Sequence, residues 1–156
     1  MPWRIAGVPA IPEEIVLDAN VLVGLADETD SCAADARDLV RRFRARGAEP
    51  VLVDFLVGEA LSALCRRFAE RATLGLEPDL VFARYLRAEQ AGQIRRLAAE
   101  GYTRFDRVLA VVRATAGRLN VHNAMIVVLQ REGRIGAVAT FDEALATIPG
   151  FVRATI

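Results

Sequence analysis

Three times in this chain a short apolar run without a polar break leads to an acid, and a helical pattern follows. Ile15, Val16 and Leu17 deliver Asp18. Val51, Leu52 and Val53 deliver Asp54, and Ala137 to Thr140 lead through Phe141 to Asp142. Apolar runs this short are the mark of strands buried on both faces, and strands alternating with helices build a mainly parallel sheet. An α/β fold is therefore expected. In such a sheet the carboxyl ends of the strands share one edge, and ligands bind there.

The chain's 156 residues suit one domain with a full core, here an N-terminal arm over residues 1–14 and a single domain over 15–156. A hydrophobic fraction of 53% with mixed charges is globular. Net charge is zero, so no global basic field draws the chain to nucleic acid. All 20 cationic residues are arginine, which excludes any mechanism that needs a lysine. Cys32 and Cys65 lie far apart without metal-ligand spacing and read as reduced thiols. No apolar signal segment and no membrane-spanning stretch is visible, so a cytoplasmic, membrane-free protein is expected.

After Asp18 a helix should run to about Ala26, with Asp27 to Asp30 as a loop. Ser31 is placed to cap the next helix, whose Ala36, Leu39, Val40 and Phe43 keep helical spacing until Gly47 ends it. Pro50 opens the second strand. Phe55 to about Thr73, Glu77 to Glu100 and Thr103 to Ala116 read as helical. Asn120 to Arg131 predicts a helix apolar all round from Ala124 to Leu129, as a buried helix is. Glu143 to Ala146 predicts a short helix, and Phe151 to Ala154 a last short strand.

Each strand-end acid also begins a helix, where Asp is a favoured cap, so capping and chemistry both stay open for Asp18 and Asp142. Asp54 reads mainly as a cap, because its helix carries a better candidate in Glu59, at the margin of the apolar stripe. A solvated surface glutamate is the plainer reading of that residue. Asn123 begins the most apolar helix, where an amide without partners costs roughly 1–3 kcal/mol. It must be hydrogen-bonded, as a structural amide or as a neighbour of the acids. His122, the sole histidine, reads as a plain polar residue at a helix start. Carboxylates gathered together cannot all stay ionised without compensation. With no lysine available, a hard divalent cation such as Mg²⁺ or Mn²⁺ is the natural counter-ion, and it could activate water against a phosphodiester.

Four blocks stand in order: VLDANVLVGLAD, VLVDFLVGEALSAL, RLNVHNAMIVVLQREG and VATFDEAL. With them the chain resembles a PIN domain, and within that family the VapC-type ribonuclease toxins. The resemblance covers residues 15 to 148, nearly the whole chain. It implies a three-layer α/β/α sandwich with a mainly parallel central sheet, and metal-dependent cleavage of single-stranded RNA. It places Asp18, Glu59, Asn123 and Asp142 in the catalytic cluster. Metal binding, of Mg²⁺ or Mn²⁺, falls to Asp18, Glu59 and Asp142, with Asn20 and Thr140 in support. It further implies a homodimer and a cognate antitoxin. One departure matters: the family usually carries aspartate where this chain has Asn123, so the site should hold its cation less strongly.

Rival acid-pocket folds fail on chemistry. A phosphoacceptor receiver and a haloacid-dehalogenase-type phosphatase both need a lysine, and no GK[ST] exists for a P-loop. The serious rival is a catalytically inactive PIN domain that binds RNA or protein. It would rely on arginine runs such as Arg41-Arg42-Phe43-Arg44 and Arg66-Arg67, which also read as solvated helix faces.

Overall fold

Residues 14–70 and 95–154 are described by the computed structural model. In chain order they form β1 (Glu14–Leu17), α1 (Ala19–Ala26), α2 (Ala33–Ala45), β2 (Glu49–Val53) and α3 (Asp54–Glu70). There follow β3 (Arg95–Leu97), α4 (Gly101–Ala114), α5 (Val121–Arg131), β4 (Ala137–Ala139) and α6 (Glu143–Ala146). The four strands make one sheet in the order β3-β2-β1-β4, parallel throughout.

Alternation along the strands divides the core in two. Ile15, Leu17, Leu52, Ala137 and Ala139 pack with Val21 of α1 and Ala36 and Phe43 of α2. Val16, Val51, Val53 and Val138 pack with Val108 and Val111 of α4 and with α5 from Ala124 to Leu129. Both faces of the sheet are covered, which is why β4, β1 from Ile15 and β2 from Pro50 read as unbroken apolar runs. This is the expected three-layer α/β/α arrangement.

Helix α3 lies against α1 through Ala60 and Leu64 on Ala19 and Val23. Helices α1 and α2 approach closely at Gly24, where an added Cβ would sit 3.0 Å from Ala36 Cβ and 3.1 Å from the Cys32 carbonyl oxygen. Arg67 on α3 reaches Asp27 at 3.0 Å and Asp30 at 2.5 Å, tying α3 to the α1–α2 loop. Burial pushes the Asp27 carboxyl up, but hydrogen bonds from Thr29 and Arg67 outweigh it and hold it below its ordinary range.

Several boundaries differ from expectation. Glu14 pairs with Glu49 and belongs to β1 rather than to the arm. Residues 1–13 lie outside the described residues, as do 71–94, which take in the end of the Phe55–Thr73 helix and most of the Glu77–Glu100 stretch. The remainder of that stretch is overturned, because Arg95–Leu97 is a strand beside β2. Two adjacent arginines do not look like a core strand, but an edge strand tolerates charge. Ser31 does not cap α2. Cys32 is the N-cap, and its N–H goes to Asp30 Oδ1 at 2.7 Å. The expected strand Phe151–Ala154 shrinks to one parallel bridge between Val138 and Arg153. Among the described residues no helix is long and apolar enough to cross a membrane.

Candidate active site

From β1 the chain reaches β2 through α1 and α2 on one face of the sheet. From β3 it returns to β4 through α4 and α5 on the other face, and β4 joins the free side of β1. Strand order therefore reverses at β1, and the carboxyl ends of β1 and β4 flank the crevice where open α/β sheets take ligands. Leu17 pairs with Ala139, and the Asp18 N–H donates to the Ala139 carbonyl at 3.0 Å. That register sets Asp18 beside Thr140.

Asp18 is nearly fully buried and serves two roles at once. Its Oδ1 accepts from the Ala19 N–H at 2.7 Å and caps α1. Its Oδ2 accepts from Thr140 Oγ1 at 2.5 Å and from Asn20 Nδ2 at 3.1 Å. Asn20 Oδ1 in turn accepts from the Phe141 N–H at 3.2 Å, and Thr140 Oγ1 accepts from the Asp142 N–H at 3.0 Å. Asp142 caps α6 through Oδ1, which accepts from the Ala144 N–H at 2.8 Å. Its Oδ2 accepts from Asn123 Nδ2 at 2.6 Å. Asn123 is buried, and its own N–H is capped by Asn120 at 2.8 Å, which starts α5.

Glu59 lies one turn into α3. Its Oε2 is 3.3 Å from His122 Nδ1, and the His122 ring stacks on Phe55 with centroids 5.9 Å apart and planes at 20°. Asp18, Asn20, Asn123, Thr140 and Asp142 thus form one hydrogen-bonded network, and Glu59 stands near enough for its charge to act on Asp18. Asp54 stays outside, accepting from the Phe55 and Ala99 N–H groups at 2.7 and 3.1 Å, as a cap does. His122 is the neighbour that sequence reasoning passed over. A histidine on an exposed helix start carries no signal until the fold sets α5 against α3.

Burial pushes the Asp18 carboxyl above its ordinary range. The charges of Glu59 and Asp142 push the same way, against hydrogen bonds from Thr140 and Ala19. A carboxyl raised by folding holds its proton more tightly folded than unfolded. Its contribution to stability is complete below the ordinary carboxylate pKa and is lost as pH rises through the folded value. In EDTA, Asp18→Asn escapes that loss, so its melting temperature relative to the native chain should climb as pH is raised from about 4 to 7. A difference that stays flat across thermal melts in that range would contradict this.

Among the described residues no three acid, histidine or cysteine side chains close on one point as a finished metal cage would. The donors nonetheless fit a hard divalent cation. Asp18, Glu59 and Asp142 offer only oxygens, and among the described residues no arginine pairs with any of them.

No protein-family model and no curated protein matches the chain. Solved structures do. VapC20 from Mycobacterium tuberculosis, described as a sarcin-ricin loop cleaving toxin, aligns with a TM-score of 0.63 and 19% identity, over 88% of this chain and 96% of its own. PAE2754 from Pyrobaculum aerophilum aligns with a TM-score of 0.54 and 20% identity, over 96% of this chain and 88% of its own. At such identities the likeness is one of fold. The fold of this chain is that of the VapC-type PIN domain.

Proposed function

We propose that this chain is a Mg²⁺- or Mn²⁺-dependent endoribonuclease that hydrolyses single-stranded RNA, the toxin of a VapBC-type pair. The observation that carries the reading is the placement of Asp18. It is buried at the strand-order reversal, burial raises its pKa, the charges of Glu59 and Asp142 add to that rise, and among the described residues no arginine pairs with it. Asp18, Glu59 and Asp142 would hold the metal. Bound there, Mg²⁺ or Mn²⁺ supplies water activation and charge compensation for the phosphodiester. Asn20 and Thr140 fix the carboxylate of Asp18, Thr140 also fixes the backbone of Asp142, and Asn123 fixes its side chain. A cognate antitoxin, a homodimer and a cytoplasmic location belong to the same reading, as does one domain over residues 15–156.

An inactive RNA- or protein-binding module is the second reading. Asn123 favours it, because its amide already satisfies Asp142 Oδ2. The arginine runs add little: Phe43 is in the core and Arg67 is committed to Asp27 and Asp30, which leaves Arg44, Arg66 and the Asp38-paired Arg41 and Arg42 on solvated helix faces. Incubation of single-stranded RNA with the chain in Mn²⁺, and again in EDTA, separates the two. The nuclease reading expects cleavage that EDTA abolishes. RNA retained but uncut in both conditions would favour the binding module.

A further inference from the structure

Phe55 and Glu59 stand four residues apart on α3 and share a face of that helix. The imidazole of His122, from α5, meets both: it stacks on Phe55 and brings Nδ1 to 3.3 Å from Glu59 Oε2. A partly exposed glutamate is free to sample several rotamers, and ordering such a side chain costs conformational entropy. His122 is well placed to hold it, because its own backbone is fixed. Asn120 caps α5 directly before it, and Asn123 to Leu129 bury the helix directly after it. The same turn carries Asn123, which holds Asp142. One helical turn therefore meets both carboxylates of the cluster other than Asp18.

We propose that His122 is a positioning residue, holding the Glu59 carboxylate where it can ligate a divalent cation, with Phe55 as the platform that fixes the imidazole. This rests on the metal-site reading above. The test is a calorimetric Mn²⁺ titration of the full chain without RNA, for the native protein and for His122→Ala, His122→Phe and His122→Asn. Thermal melts check that each variant folds, and His122→Phe keeps the stacking surface. His122→Ala and His122→Phe should bind Mn²⁺ about tenfold more weakly, the lower end of what loss of an outer-sphere partner costs. His122→Asn, which can offer an N–H near the Nδ1 position, should lose less. Cleavage by His122→Ala should recover at saturating Mn²⁺. Unchanged Mn²⁺ affinity in the Ala and Phe variants would overturn the proposal. So would cleavage that stays lost at saturating Mn²⁺, since His122 would then be a substrate contact. If the native chain takes up no Mn²⁺, the metal-site reading falls and this proposal with it. If it does and the variants match it, only this proposal falls.

Discussion

Asp18→Asn is expected to lower metal-dependent cleavage of single-stranded RNA by about 10³-fold, the equivalent of ~4 kcal/mol of transition-state stabilisation. The substitution keeps an oxygen that can accept from the Ala19 N–H, so the start of α1 survives. It removes the carboxylate that Thr140 and Asn20 hold by hydrogen bonds and whose charge Glu59 and Asp142 oppose unless a cation is bound. Asp54→Asn is the matched control. It also neutralises a strand-end acid, but one committed to the Phe55 and Ala99 N–H groups. Single-turnover cleavage at saturating Mn²⁺ should fall only for Asp18→Asn. Equal losses in both variants would mean that charge at this sheet edge, and not Asp18 itself, supports the reaction.

Asn123→Asp is expected to act in opposite directions on activity and on stability. In the native chain the amide of the buried Asn123 donates to Asp142 Oδ2 at 2.6 Å. An aspartate there sets two carboxylates against each other, and they cannot both ionise cheaply. Without metal, the variant should melt at a lower temperature than the native chain at pH 7. With metal, the added charge becomes a ligand charge, and Mn²⁺ affinity and cleavage at limiting Mn²⁺ should rise about tenfold, or ~1.4 kcal/mol. Mn²⁺ should then stabilise the variant more than the native chain, since a ligand that binds the folded state stabilises it by mass action. Identical cleavage rates and identical metal-induced shifts in the two proteins would refute the idea.

What could be read in the chain before its structure, and what could not, follows from the range of the interactions. Strands β1 and β2 were legible because past their exposed first glutamates burial on both faces leaves no polar position, and α5 because its residues from Ala124 to Leu129 are all buried. Glycine at φ +79 after α2 was legible because Gly47 alone meets that conformation cheaply. Strand β3 was not, since an edge partner is chosen by a distant neighbour and two arginines mask its pattern. The cap at α2 was misread because the helix starts one residue later, at Cys32, with no side-chain cap, and Asp30 takes the Cys32 N–H in the turn before it. Among the candidate site residues, Asp18, Asn20, Glu59, Asn123, Thr140 and Asp142 stood out through ordered blocks, and the fold links all but Glu59 by hydrogen bonds. His122 did not, because its partners Phe55 and Glu59 are more than 60 residues away and become neighbours only in three dimensions.

The hydroxyl of Thr140 has a further consequence. It accepts from the Asp142 N–H and donates to Asp18 Oδ2, so a single direction of polarisation runs from the start of α6 to the end of β1. Hydrogen bonds in such a chain strengthen one another. A shift of α6, a helix of a single turn, would weaken the first link and with it the second, leaving Asp18 a stronger base. The proton affinity of the deepest carboxylate is thereby wired to the most lightly built helix in the described fold.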